Sequence, residues 1–106
     1  MMNHTTLGIL IDWLERQDPN MLVKDGFGSP HSDRGKYSEL AFAPLPEAKI
    51  SDMLTEAERA DGGTFTGWKG GEYKMNRSTP VYIGEYGTCG DAITPICFKY
   101  WLLTGT

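Results

Sequence analysis

Two short stretches carry the residue types that hold an anion. The first is Gly67-Trp68-Lys69-Gly70-Gly71-Glu72-Tyr73-Lys74-Met75, a glycine pair set between aromatic residues with a lysine on either side. Glycine takes positive φ without strain, and successive backbone N–H groups in such a turn face a ligand together. Arg77 follows, and then Val81-Tyr82-Ile83-Gly84-Glu85-Tyr86, which reads as a strand with Tyr82 and Tyr86 on one face and Val81, Ile83 and Glu85 on the other. The second stretch is Asp33-Arg34-Gly35-Lys36. A guanidinium there is suited to bidentate contact with a phosphate, which its planar fork makes better than an ammonium does. Each stretch also has a plainer explanation: a hairpin turn with cross-strand aromatic packing for the first, and for Arg34 a solvated side chain beside Asp33.

Other chemistries find little support. Cys89 and Cys97 are separated by seven intervening residues without further cysteines, and only His4 and His31 could join them, so no metal-ligand pattern forms. Both cysteines are expected to be reduced, and no metal or cofactor is expected. The carboxylates Glu47, Asp52, Glu56 and Glu58 have no histidine or cysteine nucleophile among them and read as a solvated helix face. No catalytic residue is expected. His31 and Asp33 form the one candidate acid–base pair, in what reads as an exposed loop.

Charge narrows the class of partner. A net charge of −4 disfavours duplex nucleic acid and anionic membranes, both of which need many basic side chains on one surface. Six of the ten basic residues (Lys24, Arg34, Lys36, Lys69, Lys74, Arg77) nevertheless lie in residues 24–36 and 69–77, with only three acidic ones (Asp25, Asp33, Glu72). Locally basic segments in an acidic protein suit a small anion better than a polyanion. No run is long and apolar enough to cross a bilayer, and the first residues lack the pattern of a secretory signal, so a soluble, cytoplasmic protein is expected.

The elements that must position these groups follow from periodicity. With 106 residues, 40 % of them hydrophobic, and 13 glycines, one turn-rich domain spanning residues 1–106 is expected. Thr5-Thr6 offers an N-cap, and Leu7, Leu10, Ile11 and Leu14 recur at helical spacing with Trp13 at the core, up to a stop at Asp18-Pro19-Asn20. Met21 to Lys24 reads as a short strand and residues 25–36 as a long loop. A second strand over residues 37–43 turns Leu40 and Phe42 inward and ends at Pro44-Leu45-Pro46. A second helix starts between Pro46 and Ser51, buries Ile50, Met53, Leu54 and Ala57, and stops at Gly62-Gly63. Strands fill the rest, including the apolar, β-prone residues 92–103, where Pro95 marks an edge or bulge. The fold class expected is α+β, a mainly antiparallel β-sheet with two helices packed on one face.

Taken together, the first helix closed by Pro-Asn, the loop from Gly26-Phe27-Gly28-Ser29 through Asp33-Arg34-Gly35-Lys36-Tyr37, the Trp68-to-Met75 stretch and Thr79-Pro80-Val81-Tyr82 resemble the phage Thoeris anti-defence proteins. That resemblance covers most of the chain through short motifs, of which the Lys-Gly-Gly segment and the Arg-Gly loop are the distinctive ones. It implies a small homodimer or higher homo-oligomer in the cytoplasm of an infected bacterium, a sponge that sequesters a cyclic ADP-ribose isomer, or a cyclic oligonucleotide, without cleaving it. Arg34 matches the family's early-loop arginine. The family's late arginine has no counterpart beyond Arg77, so Arg77 or Lys99 would have to take its place. The ligand-binding set expected is Arg34, Gly35, Lys36, Trp68, Lys69, Gly70, Gly71, Tyr73, Arg77, Tyr82 and Tyr86, with the basic groups and turn amides on phosphate and the aromatics on adenine. Two alternatives stand beside it: a hydrolase of such a signal using His31 and Asp33, and a small protein-binding inhibitor of a host enzyme that uses an edge strand or an aromatic patch.

Overall fold

The computed structural model describes residues 5–33, 36–66, 72–84 and 90–105, with the backbone alone for residues 32, 33 and 36–38. Helix α1, Leu7–Glu15, begins where expected: Thr6 is the N-cap and its hydroxyl accepts from the amide of Ile9. Leu7, Leu10, Ile11, Trp13 and Leu14 are buried. The helix ends before Asp18 because its last carbonyls find partners locally. The Gln17 side chain and the Arg16 amide both donate to the carbonyl of Trp13, and the Gln17 amide donates to that of Leu14.

The centre of the molecule is a long antiparallel hairpin, β1 (Leu22–Asp33) with β2 (Lys36–Lys49). Two expectations are corrected here. Residues 25–33 are strand, not loop. Their glycines permit close cross-strand packing: a Cβ on Gly26 would stand 2.6 Å from that of Ala48, and one on Gly28 would stand 3.0 Å from Leu45 Cδ1. Ser29, at φ 44°, is the extra residue of a bulge between Gly28 and Pro30, on an edge strand where proline is tolerated. Nor do Pro44 and Pro46 end β2. The Leu40 amide donates to the Pro80 carbonyl, and the Phe42 carbonyl accepts from Gly84, so the even-numbered residues of β2 face β5 (Val81–Ile83). That strand pairs no further along β2 than Phe42, and the absent N–H groups of Pro44 and Pro46 deprive no neighbour.

Helix α2, Ile50–Ala60, follows β2 directly. It has no side-chain N-cap; the amides of Ile50 and Ser51 instead donate to the carbonyls of Met21 and Pro19 in the turn after α1. Gly62, at φ 80°, turns the chain out of the helix, and Gly62 and Gly63 exchange backbone bonds with Met75. The short pair β3 (Thr64–Thr66) and β4 (Glu72–Lys74) forms its own antiparallel sheet. Strand β5 (Val81–Ile83) joins β2 in parallel, and β6 (Asp91–Ala92) joins β5 antiparallel, giving the order β1-β2-β5-β6.

Residues 92–103 do not continue as strand. They enter α3, Pro95–Thr104, with Pro95 in the first turn, where a missing N–H costs nothing. β-propensity loses to packing: Trp101 is buried against Trp13 (5.6 Å) and Phe27 (5.7 Å), and Phe98 stacks on Trp13 at 4.9 Å. Phe27 meets Phe42 at 4.3 Å. One aromatic chain therefore ties α1 and α3 to the central hairpin. The architecture is the expected α+β with a mainly antiparallel sheet, and among the described residues it holds three helices where two were expected.

Candidate functional site

The two motif stretches share one topological feature. Asp33 is in register with Lys36 across β1 and β2, so Arg34 and Gly35 connect paired strands; Thr66 is in register with Glu72, so residues 67–71 do the same between β3 and β4. Arg34, Gly35, Trp68, Lys69, Gly70, Gly71 and Tyr86 themselves lie outside the described residues, as do Glu85 and Cys89, and Lys36 is described in its backbone alone.

Three of the expected ligand-binding residues are described in full, and each has a place in the fold. Tyr73 sits opposite Phe65 and both rings pack, half-buried, against the core. Tyr82 is 3 % exposed, registered between Ala41 of β2 and Ala92 of β6, whose small side chains leave room for its ring. The expected alternation of β5 disappears because Val81 is buried as well. Arg77 lies on the surface and braces α1: its Nη2 donates to Asp12 Oδ1 at 2.8 Å and to the carbonyl of Gly8 at 3.2 Å. The hydrogen bond and charge of Asp12 hold the guanidinium above its ordinary pKa. Lys99, the other candidate for the late basic contact, is exposed on α3.

His31 is not the exposed loop residue expected. It lies buried in β1, and its Nε2–H donates to the Gly84 carbonyl at 2.9 Å, across β2. Cys97 is a free, half-buried thiol on α3. Among the described residues no group of histidines, cysteines and carboxylates could hold a metal ion, and no helix is long and apolar enough to cross a membrane.

One residue that the sequence reading did not single out is Asp25. At φ 54° it bends β1 so that its carboxylate accepts from the Tyr100 hydroxyl at 2.9 Å and its carbonyl accepts from Trp101 Nε1 at 3.4 Å. Asp25-Gly26 within an otherwise β-like run was the available signal for such a bend. The hydrogen bond to the carboxylate, followed by burial and the carboxylate's charge, raises the Tyr100 phenol above its ordinary value. No family model, curated protein or solved structure matches the chain.

Proposed function

We propose that this protein binds a small anionic nucleotide, a cyclic ADP-ribose isomer or a cyclic oligonucleotide, and sequesters it without cleavage as a phage anti-defence sponge. What supports the reading is that the two distinctive motifs, Arg34-Gly35 and Lys69-Gly70-Gly71, each fall between strands paired right up to them. Strand pairing brings Asp33 beside Lys36 and Thr66 beside Glu72, so the two ends of each motif converge, and tight retention without chemistry calls for convergent donors. The position of His31 weighs against a hydrolase built on His31 and Asp33, since its Nε2 is engaged by the Gly84 carbonyl.

The test is to incubate the protein with a cyclic ADP-ribose isomer, remove free ligand, denature, and analyse what is released. Intact ligand is the expected result; altered ligand would establish a hydrolase, and no retention of that ligand or of a cyclic oligonucleotide would end the proposal. Arg34→Ala is expected to weaken binding by roughly ten- to a hundredfold, the cost of one charge-assisted contact. Lys69→Ala is expected to be milder, because backbone donors remain at Gly70 and Gly71.

A further inference from the structure

Helix α3 is the least enclosed of the three helices. Only Trp101 of its ten residues is buried, against six of nine in α1 and four of eleven in α2. Isolated helices shorter than about twelve residues are marginal in water, so α3 stays helical through what it packs against. Its ends add little: Thr94 makes no side-chain cap, Gly105 is extended, and neither an acidic first turn nor a basic last turn complements the dipole. Three fastenings hold it. Phe98 and Trp101 pack on Trp13, and Trp101 also on Phe27. The Tyr100 hydroxyl and the Trp101 indole donate to the carboxylate and the carbonyl of Asp25. Gly105 lies so close to Met21 that a Cβ there would run into the Met21 Sδ.

We propose that α3 is a strap that opens from β1 as a unit, short of global unfolding, with Asp25 as its latch. Asp25 couples the two elements because its backbone is left-handed, at φ 54°, a conformation that costs free energy in a strand. The bonds that offset this cost come from α3, so the bend in β1 and the closed helix favour each other. The rest of the fold keeps its own fastenings when α3 leaves. Phe27 still packs on Phe42 at 4.3 Å. Ile93, fully buried just before the helix, still donates its amide to the Val81 carbonyl and accepts from the Thr5 amide. The hinge is therefore Thr94. Opening uncovers Trp13, one side of Phe27 and the Asp25 carbonyl on β1, an edge strand of the sheet. Free backbone groups on an edge recruit other strands, so the strap controls access to β1. The device acts whether or not the protein binds a nucleotide.

Amide hydrogen exchange followed residue by residue by NMR tests the proposal. The amides of Lys99 to Leu103 are expected to exchange through one opening, with equal protection and the same dependence on low denaturant, and faster than the buried turns of α1 and α2. Tyr100→Phe removes one tie to the latch and should speed exchange across α3 by about three- to tenfold, the worth of one hydrogen bond, while α1 and α2 keep their rates. Protection in α3 equal to that of the slowest amides in α1 overturns the proposal. So does protection that falls off steadily toward Thr104, which marks a fraying end. A Tyr100→Phe variant that speeds α1 and α2 as much as α3, or that speeds none of them, overturns Asp25 as the latch and the proposal with it.

Discussion

Helices α2 and α3 enclose the same core and finish their outer surfaces in opposite ways. In α2, Ile50, Met53, Ala57 and Ala60 are buried, while Asp52, Glu58 and Arg59 face water and Arg59 lies 3.7 Å from Glu56 one turn back. In α3 the inward side is held by aromatic rings, and the outward side carries Ile96 and Leu103 where α2 carries charge. A helix whose polar face is complete needs nothing more to be soluble. The outer side of α3 instead leaves Ile96 and Leu103 exposed beside the single charge of Lys99.

The comparison breaks most sharply at Trp101. Replacing this ring, which joins α3 to Trp13 and Phe27, by alanine is expected to cost about 3–5 kcal/mol in chemical denaturation. A loss below 1 kcal/mol would mean that α3 is not anchored as described. Met53→Ala, on the buried side of α2, should cost about 2–5 kcal/mol, whereas Leu54→Ala should cost only about 1 kcal/mol, since Leu54 packs at the edge of the core and not within it. Equal losses at the two positions would place the amphipathic boundary of α2 elsewhere. On the outer side of α3, Ile96→Ser should change the unfolding free energy by about 0.5 kcal/mol or less.

The smallest effect concerns Tyr100. Its phenol is held above the ordinary value by its bond to Asp25, so the native state keeps the proton more tightly than the unfolded chain does. The resulting stabilisation is fully present below the unfolded phenol's pKa and is lost as pH rises through the folded one. Tyrosinate absorbance should therefore show a late-titrating component that Tyr100→Phe removes. Asp25→Asn, which tolerates the positive φ, should bring that titration back toward the ordinary range. An unaltered titration in Asp25→Asn would show that the carboxylate does not govern this phenol.

Several parts of the fold were legible because their signals are local. The apolar spacing of α1, the Thr6 cap and the glycines after α2 act within a few residues of where they occur, and each appears in the structure within a few residues of its expected place. The antiparallel pairing of β3 with β4 was readable for the same reason, from β-prone residues on either side of a glycine pair. What misled was composition without context. Gly26, Gly28, Ser29 and Pro30 look like a loop until Ala48 and Leu45 are seen pressing on the strand, and Pro44 and Pro46 look like a stop until β5 is seen to pair no further than Phe42.

The candidate site divides along the same line. The types and spacing of Arg34, Lys69, Gly70 and Gly71 put their chemistry in view, because a charged fork and the conformational freedom of glycine are properties of the residues themselves. That Arg77 braces α1, that Tyr82 is enclosed between β2 and β6, and that His31 reaches the Gly84 carbonyl depend on partners up to 69 residues away in the chain. Amino-acid sequence alone determined where α1 begins, which residues of α2 turn inward and which residue types could meet an anion, since hydrogen bonding and periodicity over one or two turns suffice for that. Only the tertiary structure decided that residues 95–104 are a helix, since the β-branched and aromatic side chains there favour a strand until the burial of Trp101 and Phe98 against Trp13 and Phe27 outweighs that preference.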